Sequence, residues 1–142
     1  MIVWITRVLA LAIHDRQLAE HGGGSGVRAE GLLESALARP QQLHNYGDPP
    51  PDLADLAASL AFGLARNHPF VDGNKCTPAV ACEVFITLNS AELNADDHEL
   101  YPLYLGLAEG SLDEAGFAEW LRSRIVARPQ GKVQEPRTRY RK

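Results

Sequence analysis

Between Asp52 and Asn67 the chain is small and apolar around almost its whole circumference: Leu53, Leu56, Leu60 and Leu64 form one stripe, and Ala57, Ala58, Ala61, Gly63 and Ala65 fill the rest. A helix with no polar face must run through the centre of a domain, so other helices have to cover it. Asp52 is placed to cap it, with Asp55 in its first turn favoured by the helix dipole. A second apolar segment, about Asn74 to Asn89, puts Val80, Ala81, Val84, Phe85 and Leu88 toward the core. The two central helices are separated by His68-Pro69-Phe70-Val71-Asp72-Gly73.

The remaining segments are read as the cover. Met1 to Ile5 suits a short extended arm, and a helix from about Thr6 to His21 carries Leu9, Ala12, Ile13 and Leu18. Gly22-Gly23-Gly24-Ser25-Gly26 stops it, as a plain connector or as a flap over a target. A helix over about Ala29 to Arg39 turns Leu32, Leu33, Ala36 and Leu37 inward and ends at Pro40; Gln41 to Pro51 is an irregular connection. Asp96 with Glu99, and Ser111 with Glu114, mark two further helix starts. Between them Pro102 either kinks a helix or opens one. The last helix runs from Leu112 to about Ala127, burying Phe117, Trp120, Leu121 and Ile125. Alternating strand patterns are almost absent. The expected fold is all-α, a compact bundle of five to seven helices with a loop between the two central ones.

At 142 residues, 45% hydrophobic and 23% charged, such a bundle can bury a core of its own. Residues 1–127 form the expected domain and 128–142 a basic, disordered tail. Residues 129–142 hold five basic groups and one acid, leaving 9 basic against 17 acidic before them, a net of −8. A body that acidic is a poor surface for nucleic acid. No apolar run reaches membrane-span length, and the apolar start lacks a basic leader and a cleavage site. Two cysteines six residues apart on one helix point in different directions and fit no metal spacing, which suits a reduced, cytoplasmic setting.

The loop from His68 to Thr77 concentrates the chemistry. A helix opening near Asn74 turns free N–H groups and its positive end toward the loop, and Gly73 allows close approach, an arrangement suited to phosphate. Lys75 adds a point charge and the Asn74 side chain a donor. Asp72 is a hard oxygen ligand fit for magnesium. The imidazole of His68 can take a proton from a hydroxyl. Phosphoryl or nucleotidyl transfer needs this set of groups. On spacing alone an ordinary His-Pro loop followed by an Asp-Gly-Asn turn is an equal alternative. His14 is read as lining a groove or as a capped or solvated histidine, His21, His44 and His98 as surface residues, Trp4 and Trp120 as core, and Arg66 and Glu109 as supporting groups.

His-Pro-Phe-Val-Asp-Gly-Asn-Lys-Cys-Thr resembles the signature of the Fic/Doc superfamily, in particular its Doc, or "death on curing", toxins, whose pattern is His-x-Phe-x-Asp-x-Asn-Lys-Arg-Thr. Ala12 to Asp15, Gly31 to Pro40 and Leu105 to Gly110 are similar to other parts of that family, so the resemblance covers about residues 1 to 127. It implies a Fic-like fold with ATP and Mg2+ as co-substrate and cofactor. By that likeness His68 is the general base and Asp72 the metal ligand. Gly73, Asn74, Lys75, Thr77 and the residue at 76 hold phosphates, and Phe70 anchors the loop. Lys75, where AMP-transferring members have glycine, points to the branch that moves the γ-phosphate of ATP to elongation factor Tu; AMP transfer is the alternative. A Phd-like antitoxin, docking a C-terminal helix in a groove, is the implied partner. Cys76 stands where the family has arginine, and Pro78 and Ser90 where it has alanine and glycine. These departures imply an attenuated toxin, or an inactive domain that only binds its antitoxin.

Overall fold

The computed structural model describes residues 1–74 and 76–128. Among them six helices and one small sheet follow in the order α1 (Arg7–His21), α2 (Glu30–Tyr46), α3 (Leu53–Asn67), α4 (Cys76–Leu88), β1 (Ala91–Leu93), α5 (Asp97–Glu109), α6 (Glu114–Arg124) and β2 (Ile125–Ala127). The architecture is all-α, with α3 at the centre, packed by α2, α4, α5 and α6, while α1 packs on α4 and α2. Ten of the fifteen α3 residues are buried, from Ala54 to Ala65, as its all-round apolar surface requires. Asp52 and Asp55 close a reciprocal capping box that satisfies two of the N–H groups at that end. Gly63 lets α2 come close: a β-carbon there would stand 3.2 Å from the Ala36 Cα. No helix among the described residues is long and apolar enough to cross a membrane.

Several boundaries differ from the sequence reading, each for a physical reason. Pro40 lies inside α2, which continues to Tyr46. The lost N–H is offset by burial of Pro40 itself and by the packing of α2 on α3, tertiary contacts outweighing a local penalty. Within α2, Leu32 faces solvent while Leu33, Ala36 and Leu37 are buried. Likewise Leu88 is exposed at the end of α4, whereas Ala81 and Phe85 are core. Pro102 sits inside α5, on its exposed side. The cap of α6 is Asp113, accepting from the Gly116 N–H at 2.7 Å, two residues beyond Ser111.

The last helix stops at Arg124, and Ile125–Ala127 instead pairs antiparallel with Ala91–Leu93. Three-residue strands leave no alternation to read. Arg128, expected to open the tail, still donates its N–H to the Ser90 carbonyl at 2.9 Å. The disorder expected for 129–142 lies outside the described residues. At the other end the extended arm is pinned by Asn89, which accepts from the Val3 N–H and donates to its carbonyl.

Candidate active site

Each part of the loop is fixed by a named contact. α3 ends at His68, whose backbone is left-handed (φ 48°, ψ 57°), an uncommon state for a residue with a β-carbon. Beyond it the chain runs antiparallel to residues 26–29. Val27 and Phe70 form an isolated bridge, Val71 N–H donates to the Gly26 carbonyl, and Arg28 and Ala29 N–H both donate to the Pro69 carbonyl.

Phe70 is buried in the core and stacks on the His14 ring, centroids 3.9 Å apart. His14 is itself buried, and its Nε2 lies 2.7 Å from the Asp72 carbonyl, so that nitrogen carries the proton and donates. The loop therefore rests on α1 through an aromatic stack and one hydrogen bond. His14 is the floor of the loop, neither solvated nor a helix cap.

The Asn74 side chain spans the loop. Its Oδ1 accepts from the Phe70 N–H at 3.0 Å and its Nδ2 donates to the Phe70 carbonyl at 2.8 Å. The sequence suits this amide to phosphate; in the structure it braces the turn. Gly73 (φ +86°) passes so close to His14 that a β-carbon would meet its Cδ2 at 3.2 Å.

Thr77 donates its N–H to the Gly73 carbonyl at 3.0 Å, so the backbone already turns as a helix there. Pro78 has no N–H for the Asn74 carbonyl, and the regular ladder begins only at Cys76. Pro78 thus falls third in α4, within the first turn where an intrahelical partner is missing in any case. The Thr77 hydroxyl is fully buried without a hydrogen-bond partner among the described residues.

His68, Asp72, Gly73, Asn74 and Cys76 converge on one open cleft of about 520 Å³, within the usual range for small-molecule sites. Phe70 and Thr77 lie beneath it, and Lys75 lies outside the described residues. The opposite wall is Gln17, Leu18 and His21 of α1, none of which the sequence assigns to the site, with Gly22 and Gly23 from the glycine segment that the sequence offers as a connector or a flap. The available signal was the row His14, Gln17, Leu18 and His21 on one helical face: Gln17, a polar residue, is buried there. The glycine segment is more than a connector, since Gly24 N–H donates to Asp72 Oδ2 at 2.7 Å. Arg66 and Glu109 are exposed and do not line the cleft; Arg66 lies over the Phe62 ring.

Among the described residues Asp72 is the one acidic side chain on the cleft wall, and they hold no cluster of three or more His, Cys, Asp or Glu able to cage a metal. That donor set fits magnesium, which takes one or two carboxylates and completes its shell with water and substrate phosphates.

Similar chains are known. The chain is 48% identical over 75 residues to the toxin Doc of Mycolicibacterium smegmatis, a match over 53% of this chain and 58% of that protein. It is 30% identical over 112 residues to the protein kinase doc of Escherichia phage P1, over 79% of this chain and 87% of that protein. The model of the Fic/DOC family matches residues 4–86, from the arm before α1 through the loop and into α4. With that match spanning every element that builds the cleft, the chain belongs to the Fic/DOC family.

Proposed function

We propose that the chain is a toxin-class protein phosphotransferase that moves the γ-phosphate of ATP to a hydroxyl of a translation factor, elongation factor Tu by resemblance, and that Cys76 and Pro78 attenuate it. The observation that carries this reading is the convergence of a half-buried imidazole, a single carboxylate and a helix N-terminus on one cleft. The protein kinase named among the relatives supports phosphate over AMP as the group transferred.

In this reading His68 takes the proton of the substrate hydroxyl as its oxygen bonds to the γ-phosphorus. The bond from that phosphorus to the β–γ bridging oxygen breaks, ADP leaves, and His68 returns its proton to solvent. The α4 N-terminus and the Gly73 backbone face the developing negative charge, with Lys75 adding its ammonium. Asp72 would hold a magnesium ion, which when bound would supply charge neutralisation on the phosphates.

Cys76 removes the planar, permanently charged clamp that arginine gives phosphate oxygens, a loss on the order of 10²-fold in rate. Pro78 adds less, since the first turn of α4 accommodates it. The test incubates this chain and the Cys76→Arg/Pro78→Ala double variant with labelled ATP and elongation factor Tu. The double variant gains one phosphate on the target, at least tenfold faster than this chain, and arrests growth when expressed. A mass gain of one AMP, or no gain with either protein, overturns the reading.

Cys76 also favours a second reading, a domain that binds a Phd-like antitoxin helix without turnover. Calorimetry separates the two: this reading requires peptide binding with no heat from ATP and Mg2+.

A further inference from the structure

The residue preceding α2 by two, Arg28, makes more contacts with the backbone around His68 than any helical capping pattern requires. Its Nη2 donates to the Asn67 carbonyl at 3.1 Å and its Nε to the His68 carbonyl at 2.9 Å. Its own N–H donates to the Pro69 carbonyl at 2.7 Å. Three successive carbonyls, those leaving the last turn of α3 and entering the loop, are thus satisfied by one residue. The middle one belongs to His68, whose backbone is left-handed (φ 48°). A side chain with a β-carbon disfavours that conformation and holds it only where surrounding contacts over-determine it.

The guanidinium suits this task chemically. Its fixed fork presents Nε and Nη2 to two neighbouring acceptors at once, and its charge lies at the negative end of α3. An ammonium is a point charge that cannot match both carbonyls in that geometry. Alternative holders are few. His68 follows a helix whose last residue, Asn67, turns its own side chain away, to the Leu32 carbonyl. The His68 side chain meanwhile faces the cleft together with Asp72 and Cys76. If the backbone at 68 relaxed to right-handed helical or extended dihedrals, the imidazole would swing off the cleft wall while Phe70, held by His14, stayed in place.

We propose that Arg28 is the positioning residue for His68: its side chain keeps the base left-handed at the end of α3 and so directs the imidazole at the reacting hydroxyl. Its consequence for turnover rests on the phosphotransfer reading above; the geometric claim does not.

The test follows the imidazole itself, by 13C–1H NMR of labelled histidines in the full chain, with His68 assigned by His68→Gln. Compared are Arg28→Met, Arg28→Lys and, as an exposed arginine elsewhere, Arg16→Met. Expected is a shifted or split His68 signal in both Arg28 variants, with the His98 signal unmoved and no change in Arg16→Met. In a Cys76→Arg background the same Arg28 variants lower kcat about tenfold to a hundredfold, the range that a misplaced reacting group produces, while KM for ATP stays within about twofold.

A His68 signal coincident with the parent in both Arg28 variants overturns the proposal. So does a KM effect equal to the kcat effect with His68 unmoved. If Arg28→Met loses signal dispersion throughout, the lysine variant, which keeps the backbone donor and the charge, decides by the same criteria. Should neither the parent nor Cys76→Arg transfer phosphate, the functional reading falls, and the His68 signal still decides the positioning.

Discussion

Gly73 sits at φ +86°, and a β-carbon there would stand 3.2 Å from Cδ2 and 3.3 Å from Nε2 of His14. The backbone conformation and the space both select glycine, and the same contact explains why α1 and the loop cannot move independently. Gly73→Ala is expected to destabilise the fold by about 2 kcal/mol, the left-handed penalty of roughly 1–2 kcal/mol plus displacement of His14; urea denaturation checks it through a lower midpoint. At position 90 the chain accepts the same kind of strain without glycine: Ser90 has φ 64°. The two thiols differ sharply. Cys82 is wholly buried and burial pushes its thiol up to about 12, while Cys76 is partly exposed on the cleft. A thiol reagent at pH 8 should therefore titrate one cysteine in the native protein and the second only in denaturant. Two fast-reacting thiols would contradict the burial of Cys82.

At the scale of elements, the junction of α3 with α6 carries a charge cluster. Arg122 on α6 donates to Asp52 from Nε at 2.6 Å and from Nη2 at 3.1 Å, to Asp55 at 2.8 Å, and also pairs with Glu119. Asp52 is therefore both the cap of α3 and an anchor for α6. The guanidinium hydrogen bond holds the Asp52 carboxyl well below its ordinary value of 3.8, against the opposing effect of burial. A depressed folded value means that the stabilisation is fully present above pH 3.8 and fades as pH falls through the folded value. For a partly exposed cluster screened by solvent, about 1 kcal/mol is a fair size. Arg122→Ala should lower the Tm at pH 7 by roughly 2–5 °C and lose less further stability than the parent between pH 4 and pH 2. Parallel melting curves at both pH values would refute the linkage.

For the molecule as a whole, the amino-terminal arm and the segment after α6 are both tied to the stretch that follows α4. Asn89 holds the amino-terminal arm, and β1 beside it pairs with β2 after the last helix. Ala91 and Leu93 are buried by this pairing and by α4. A chain ending at Arg124 should lose about 2–3 kcal/mol, from Leu93 uncovered and three residues of ladder unpaired. Differential scanning calorimetry of the truncated and full chains checks this, and an unchanged melting temperature would show the small sheet to be ornamental to the fold.

The sequence by itself determined the architecture and where the cleft would lie. An all-round apolar α3 has only one stable place, the middle, and the loop between two such helices must surface where their ends meet. Asp52, Asp55 and Asp96 announced helix starts because capping is a local interaction between residues three apart. What the tertiary structure alone decided were the matters set by residues distant in the chain. Pro40 continues a helix because α3 packs against it, and Ile125–Ala127 becomes a strand because β1 offers a ladder 34 residues away in register with it. Asn74 turns to Phe70 instead of outward, His14 becomes the floor of the loop, and Arg28 reaches three carbonyls about 40 residues along the chain. Periodicity and capping report which face of an element is buried. Which polar atoms meet across the gap depends on distances in space that no spacing in the sequence encodes.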